Sequence, residues 1–376
     1  MEESRRIVLV LGNGFDLDLG LKTLYKDYWG SKFCPKDYPA PLIFHLNSHW
    51  PDNQEAVKWY DLENELYYYA KNLISAGPRK DIITESERKF LEIVKPEYIC
   101  FGLYNDYSNQ MNSLLQKGII VEDLTYIHRY RIPYQEDLLK SPVERDTIAL
   151  ERIKKGLCEY LQSLPLPQNE QDTVAYSVLL SLLKTADKGD FVEIFSFNYT
   201  TVRRLGYVVD EVPVHYMHGC CDDGNVIIGT RDDTEIEKDY AFLQKALDPT
   251  FYPPQLVSSL HAADEVIIFG HSIGENDRQY FKAFFKQQTD YSHTKGKDII
   301  IFTRDHASEV QIKLALQNMT DGNLSTLFGL NRVQIIKTKG LKEDQKRFFD
   351  FLIAHNTEEH FAAEVIGTLL EEVKSL

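Results

Sequence analysis

The sequence predicts an α/β protein with a doubly wound, mostly parallel sheet and a large helical insertion after the first strand. Short runs rich in Val and Ile, typical of strands buried on both faces of a parallel sheet, recur along the chain. Segments with helical periodicity separate the later runs, and such alternation favours a doubly wound core. A long stretch behind the first run shows helical periodicity and few strands, which indicates the insertion.

The predicted strands and helices follow from these patterns. The strands occupy residues 6–11, 191–197, 214–217, 226–228, 265–269, 298–302 and 332–336, and the later helices occupy residues 277–288, 307–319 and 343–355. Further helices are predicted at residues 55–71, 101–117, 146–161 and 173–187, punctuated by Gly-Pro and Pro-rich steps. We therefore expect a discontinuous nucleotide-binding core, residues 1–34 and 190–376, around a helical insertion, residues 35–189.

Composition limits the possible functions. A length of 376 residues suggests two domains, or one large domain with an insertion, and 43% hydrophobic residues are enough to bury a core. The formal net charge of −15 argues against strong nucleic-acid binding, which needs clustered Lys and Arg. A local basic pocket for a small phosphate ligand remains compatible with this charge.

Cysteine usage and hydropathy predict a cytoplasmic location. The five cysteines are odd in number and form no Cys-x-x-Cys pair, as expected for reduced thiols. The N-terminus lacks the apolar length of a signal peptide, and no run approaches the ~18–20 apolar residues that span a bilayer. We therefore expect no membrane association.

The first predicted strand leads into a glycine-containing loop. Gly12, Asn13 and Gly14 follow the strand, and glycines there let backbone N–H groups approach a pyrophosphate. The third glycine of the dinucleotide-binding fingerprint is absent, because position 17 is Leu. The loop is thus either a phosphate cradle or a tight turn without a ligand. Asp16 either contacts a cofactor or caps the following turn.

Asn198 and Thr200 follow the second strand of the predicted core. Ligands of open α/β sheets bind at the carboxyl ends of strands, where an Asn amide can orient a ribose hydroxyl or a water. The alternative is that Asn198 or Thr200 only caps a helix.

A His-Gly pair follows the next strand. His215 and His218 lie three residues apart, so they point to opposite faces of a strand and cannot share a metal. His218, at the strand end, is the better candidate for the site, although a lone His is more often structural. The adjacent Cys220 and Cys221 seldom suit a tetrahedral metal site, and we expect no metal.

Three further segments offer candidate residues. Ser272 follows a strand and can bond a ribose or phosphate, whereas Asp277 is expected mainly to cap the next helix. Arg231 lies in a Gly-Thr-Arg-Asp-Asp segment and can pair with a phosphate. The alternative is that this segment is only a surface turn. Residues 59–66 begin a helix whose acidic first turn is expected to be solvated.

The order of these motifs resembles two known families. Strand-Gly-x-Gly, strand-Asn, His-Gly and strand-Gly-x-Ser followed by Asp resembles the sirtuins and their NAD-binding core. A more specific resemblance is to the AbiH-type abortive-infection family of bacterial phage-defence proteins. It rests on residues 12–21, 23–28, 59–66, 196–200, 218–219, 229–232 and 269–277.

The sirtuin resemblance implies roles for individual residues. It implies that Asn198 orients water or ribose, that His218 is the base and that Ser272 contacts the cofactor ribose. Thr200 stands where sirtuin sites usually have an Asp that contacts nicotinamide. The paired cysteines of the deacylase zinc module are missing, so the resemblance does not extend to protein deacylation.

These observations leave three hypotheses. The leading one is a phage-defence effector that hydrolyses the nicotinamide–ribose bond of NAD, with Asn198 and His218 as catalytic residues. The residues expected to bind NAD are Gly12, Asn13, Gly14, Asp16, Thr200, Arg231, Ser272 and Asp277. The second hypothesis is a nucleotide sensor without turnover, favoured by Thr200 and the missing third glycine.

The third hypothesis is a metal-dependent nuclease using Asp232, Asp233 or Asp277, against which the acidic composition argues. The expected partners are a small nucleotide, a phage-derived trigger and a second copy of the chain.

Overall fold

A computed structural model describes residues 4–50, 61–76, 135–138, 140–165, 173–202, 212–252, 254–292 and 295–355. The chain divides into two compact units. Unit 1 comprises Met1–Asp27, Cys158–Ile227 and Thr250–Leu376, and unit 2 comprises Tyr28–Leu157 and Ile228–Pro249.

The described residues form six strands and twelve α-helices. The strands are β1 (Arg6–Leu11), β2 (Phe191–Ser196), β3 (Val214–Tyr216), β4 (Glu265–Phe269), β5 (Asp298–Thr303) and β6 (Arg332–Lys337). The helices are α1 (Asn13–Asp18), α2 (Tyr25–Trp29), α3 (Pro41–His49), α4 (Leu62–Ala76), α5 (Gln135–Leu138), α6 (Pro142–Ser163), α7 (Val174–Asp187), α8 (Leu256–Ala262), α9 (Arg278–Gln287), α10 (His306–Met319), α11 (Leu324–Leu330) and α12 (Lys342–Ala354).

The six strands form one parallel sheet in unit 1. Their order is β3-β2-β1-β4-β5-β6, and every neighbouring pair runs parallel. Strands β2 and β3 lie on one side of β1, and β4, β5 and β6 lie on its other side. This is the strand order of Rossmann-like folds, and the direction reverses between β1 and β4. The predicted α/β doubly wound class is confirmed.

Alternating side chains of the central strand explain why helices cover both faces. Ile7, Leu9 and Leu11 belong to a core that includes residues of α1, α7 and α12. Val8 and Val10 belong to a second core, formed with residues of α8, α9, α10 and α11. Since successive residues of a strand face opposite sides, a strand buried on both sides has to be apolar throughout.

Most predicted elements agree closely with the observed ones, and one does not. The predicted strand at residues 226–228 is wrong: Val226, Ile227 and Ile228 are buried but belong to no strand. The backbone N–H of Ile227 instead donates to the carbonyl of His218 at 2.9 Å. The predicted helix at residues 101–117 lies outside the described residues.

Side chains cap the starts of several described helices, among them α7 and α10. Thr173 Oγ1 accepts a hydrogen bond from Tyr176 N at the start of α7, and Asp305 does the same for Ser308 N at the start of α10. Helix α7 contributes apolar residues to the core beneath the sheet. It therefore lies in unit 1, whereas the predicted boundaries assign residues 173–187 to the insertion.

Unit 2 is mainly helical where it is described. Asp146 is fully buried there, and its carboxylate accepts hydrogen bonds from Leu42 N and the hydroxyl of Tyr69. Lys245 Nζ lies 2.8 Å from Glu63 Oε2, with side chains only 4% and 12% exposed. Glu63, in the acidic first turn of α4, is thus paired within the protein. The prediction that this turn is solvated is wrong. Within the described segments, no helix is long and apolar enough to cross a membrane.

The loop after β1 packs backbone to backbone against the loop after β4. Gly12 N donates to Phe269 O and Gly14 N donates to Gly270 O, both at 2.9 Å. A Cβ on Gly14 would lie 2.6 Å from Gly270 Cα, and one on Gly270 would lie 2.5 Å from Gly14 Cα. Gly270 also has a φ of 64°, which L side chains rarely adopt. Glycine is required on both sides of this contact.

We expect Gly14→Ala to lower the free energy of unfolding by about 1–3 kcal/mol, because the added methyl group meets backbone that cannot yield easily. Gly329→Ala is the matched control: Gly329 lies in α11 with nothing within 4 Å of an added Cβ. The control should be neutral or stabilising by up to about 1 kcal/mol. Denaturant unfolding of both variants measures this, and equal stability of the two would contradict the close packing.

Candidate functional site

Polar residues of unit 1 gather at the carboxyl ends of the strands, beside the point where the strand order reverses. Helix α1 contributes Asp16, and the loops after β2, β3 and β4 contribute Asn198, His218 and His271; all four side chains are buried. In open α/β sheets the crevice at such a switch point is where ligands bind.

Asp16 is the centre of a buried hydrogen-bond network. Thr200 Oγ1 donates to Asp16 Oδ2 at 2.6 Å, and Asn198 Nδ2 donates to Asp16 Oδ1 at 3.2 Å. The same Asn198 amide donates to Gly12 O at 3.1 Å. A buried carboxylate needs such donors, because an unpaired one would carry a large desolvation cost. The network therefore fixes the loop after β1 to the loop after β2.

A narrow recess lies next to this network. It is lined on the polar side by Ser196, Asn198, Thr200 and Asp16, and on the apolar side by Phe15 with neighbouring leucines. Its volume is about 10 Å³, close to what one water occupies. The recess is thus about the size of one water molecule, and it is not a preformed dinucleotide cleft.

Two histidines share one carboxylate on the other side of the Gly12 loop. Nε2 of His218 lies 3.2 Å from Oδ1 of Asp277, and Nε2 of His271 lies 3.2 Å from Oδ2 of the same residue. Both histidines are buried, whereas the Asp277 side chain is 18% exposed. A carboxylate beside an imidazole fixes the tautomer of the ring and stabilises the imidazolium that forms when the ring accepts a proton.

The hydrogen bonds of His271 define its tautomer. Ile273 N donates to Nδ1 at 2.9 Å, so the neutral ring carries its proton on Nε2, directed at Asp277. Ile273 itself has a φ of 50°, a strained value for a β-branched residue. Backbone strain of this kind clusters at functional sites, where surrounding contacts hold it.

Phe197 and Gly12 connect the two groups of polar residues. The Phe197 ring lies 4.3 Å from the His271 ring and 5.4 Å from the His218 ring, centroid to centroid. A Cβ on Gly12 would come within 2.5 Å of His271 Cα, while the Gly12 carbonyl accepts from Asn198. The Asp16 network and the two histidines therefore form one contiguous site.

The structure changes the interpretation of the glycine loop. The N–H groups of Gly12 and Gly14 donate to backbone carbonyls of the β4 loop, so they do not point freely towards a pyrophosphate. The side-chain carbonyl of Asn13 accepts a hydrogen bond from Thr23 Oγ1 at 2.5 Å. The close packing accounts for both glycines, and phosphate binding by this loop stays a prediction.

Asp277 does not have its expected role. It occupies the N-cap position of α9, but its side chain makes no capping hydrogen bond and faces the two histidines instead. Asn198 and Thr200 likewise direct their side chains to Asp16. Asp16 therefore receives bonds from another strand's loop, and the sequence cannot reveal this because the two segments are far apart in the chain.

The other candidate residues lie in different surroundings. Ser272 is exposed. It lies beside Gly274, where an added Cβ would be 3.1 Å from Ser272 Oγ. Arg231 belongs to unit 2, where its Nε lies 3.1 Å from Asp233 Oδ1 and its guanidinium stacks over Tyr67. His215 Nε2 lies 3.0 Å from Glu193 Oε1 of the neighbouring strand.

The cysteines near His218 are held as thiols. Burial raises the pKa of Cys220 to about 11, and its Sγ donates to Asp223 Oδ2 at 3.2 Å. The hydrogen bond between the thiols of Cys221 and Cys158 raises the pKa of Cys221 and lowers that of Cys158. Cys220 and Cys221 thus lack the thiolate character of a nucleophile or metal ligand.

Sequence reasoning missed His271. His271 follows Gly270 just after β4, as Asn198 follows β2 and His218 follows β3. That placement after a strand is the sequence signal for His271.

Comparison with known proteins identifies the family. The family model described as "Bacteriophage abortive infection AbiH" matches residues 8–295. The chain belongs to the AbiH family. Membership supports a role of this AbiH protein in bacteriophage abortive infection, as the motifs in its first 280 or so residues predict. Neither the curated proteins nor the solved structures contain a significant match to the chain.

We expect Thr200→Val to destabilise this AbiH protein by about 1.5–3 kcal/mol, because Asp16 then loses a donor to its buried charge. Thr289→Val is the control, since the Thr289 hydroxyl donates to Lys286 O at an exposed position. That change should stay within about 0.5 kcal/mol of wild type. Chemical denaturation distinguishes the two, and an equally small effect of Thr200→Val would show that Asp16 does not depend on the hydroxyl.

Proposed function

We propose that this AbiH protein acts in abortive infection by hydrolysing the bond between nicotinamide and ribose in NAD. Water adds to the ribose carbon as the bond to nicotinamide breaks, giving nicotinamide, ADP-ribose and a proton. The leaving pyridine is neutral, so it needs no general acid. The reaction needs a fixed ribose, a positioned water and a group that accepts the water's proton.

The grouping of His218, Asp277 and His271 at the switch point carries this proposal. Nε2 of His218 lies 3.2 Å from Oδ1 of Asp277, and a carboxylate at that distance stabilises the imidazolium that forms when the ring accepts a proton. Two imidazoles on either side of one carboxylate are an arrangement that suits proton transfer. They lie where Rossmann-like sheets bind nucleotides.

Asn198 is the second catalytic residue of the proposal. Its amide nitrogen already donates to Gly12 and Asp16, which fixes the orientation of the side chain. Its carbonyl oxygen then has a defined direction beside the water-sized recess and can accept from a water or a ribose hydroxyl. Asp16 and Thr200 act in this proposal by positioning Asn198 and the loop, and Ser272 offers an exposed hydroxyl to the ribose.

We expect the purified protein to release nicotinamide from NAD, and His218→Gln to slow this release by about 100-fold or more, as loss of a general base does. His215→Gln is the matched control, because His215 lies three residues before His218 and pairs with Glu193 outside the site. Product analysis by chromatography, with and without phage lysate, measures the rates.

The same variants test the role in bacteria. Cells that express wild type or His215→Gln should resist phage, whereas His218→Gln and Asn198→Ala should lose protection at equal protein levels. The proposal fails if nicotinamide is never released and Asn198→Ala protects as well as wild type.

A nucleotide sensor without turnover is the second candidate function. Thr200, which stands where sirtuin sites usually have an Asp, and the missing third glycine of the fingerprint favour a site that binds without turnover. A ligand that binds only the folded state stabilises it by about 2.7 kcal/mol at 100 times its Kd. For a sensor, we expect NAD or ADP-ribose to raise the melting temperature of the protein through this stabilisation, without any product being formed. If neither ligand shifts the melting temperature, a sensor of these nucleotides is excluded.

The metal-dependent nuclease is the weakest of the three. It requires clustered carboxylates, whereas Asp233 pairs with Arg231 and Asp277 is held between two imidazoles. DNA and RNA that stay intact with the protein and Mg²⁺ would remove it.

A further inference from the structure

Two histidines and a glutamate converge within unit 2. Helix α3 carries His45 and His49 four residues apart, a spacing that places both side chains on one helix face. Glu65 reaches the same point from the first turn of α4. One ligand atom from each residue, His45 Nε2, His49 Nδ1 and Glu65 Oε2, lies within 4.8 Å of the other two.

We propose that His45, His49 and Glu65 bind a divalent d-block cation, with Zn²⁺ the expected ion. Two imidazole nitrogens and one carboxylate oxygen are a donor set that zinc accepts, and they leave a fourth position for water. The glutamate oxygen lies 3.7 Å from His45 Nε2 and 3.8 Å from His49 Nδ1. Ligand atoms around tetrahedral zinc lie about 3.3 Å apart, given bonds of about 2.0–2.1 Å, so small side-chain movements complete the site.

The surroundings of Glu65 support a cation. Its Oε2 is buried and accepts no hydrogen bond from the residues that the structure describes. A cation bound by this oxygen would compensate the buried carboxylate, and histidine ligands are neutral when they coordinate a metal.

The local hydrogen bonds allow the required movement. His49 Nδ1 lies 2.9 Å from the carbonyl of His45, so this contact has to be released when the ring turns to the ion. Ser48 Oγ donates to the same carbonyl at 2.8 Å, so the carbonyl keeps a donor. The side chain of His49 is 50% exposed and gives the ion access, whereas the ring of His45 is buried against Tyr69.

Zinc titration of chelator-treated full-length protein by calorimetry tests the proposal. We expect one Zn²⁺ per chain for wild type, and affinity reduced by about tenfold or more in His49→Gln and in Glu65→Gln, since even outer-shell changes cost that much. His306→Gln is the matched control: His306 is exposed and lies 3.4 Å from Glu309, without a second histidine in that pair. Circular dichroism establishes that each variant is folded.

Cobalt substitution identifies the donor atoms. Co²⁺ at this site should give visible d–d bands without the intense sulfur-to-cobalt charge-transfer band that cysteine ligands produce. The proposal is wrong if wild type binds no stoichiometric Zn²⁺, or if folded His49→Gln and Glu65→Gln both bind it like wild type. A strong sulfur charge-transfer band would also contradict it, because it would assign the metal to cysteines.

Discussion

The contact between two glycine loops constrains the candidate site of unit 1. Gly14 and Gly270 approach so closely that neither position has room for a Cβ, and two backbone hydrogen bonds join the loops. Buried N–H groups need partners, and here each loop satisfies the other. The contact ties the ends of β1 and β4 together where the sheet order reverses. Glycines that resemble a phosphate-binding fingerprint therefore have a structural reason of their own.

This contact also determines which side chains meet. It brings Gly12 against His271, and the Gly12 carbonyl in turn accepts from Asn198, so the buried carboxylate of Asp16 and the shared carboxylate of Asp277 belong to one site. The two carboxylates have different partners. Hydroxyl and amide donors hold Asp16, and two imidazoles flank Asp277. The first arrangement suits positioning and the second suits proton transfer, which is why the proposed chemistry centres on His218.

Much of the sheet can be predicted from the sequence, because strands buried on both faces need continuous apolar residues. Residues 226–228 show the limit of that rule: an apolar triplet can be buried in a loop without a neighbouring strand. Asn198 and His218 are recognisable as strand-end polar residues. The role of Asp277 is not, since a residue before a helix has the local pattern of a cap and only the fold reveals its partners. The same holds for Glu65, which meets His45 and His49 through helix packing in unit 2.

The proposed function depends on a nucleotide occupying the carboxyl edge of the sheet in unit 1. An experimental structure of the His218→Gln variant with NAD at saturating concentration tests this most directly. We predict density for the dinucleotide over the Gly12 loop, with its nicotinamide ribose beside Asn198 and residue 218. Density at a different surface, or none there despite saturating NAD, would contradict the assignment of this edge as the nucleotide site.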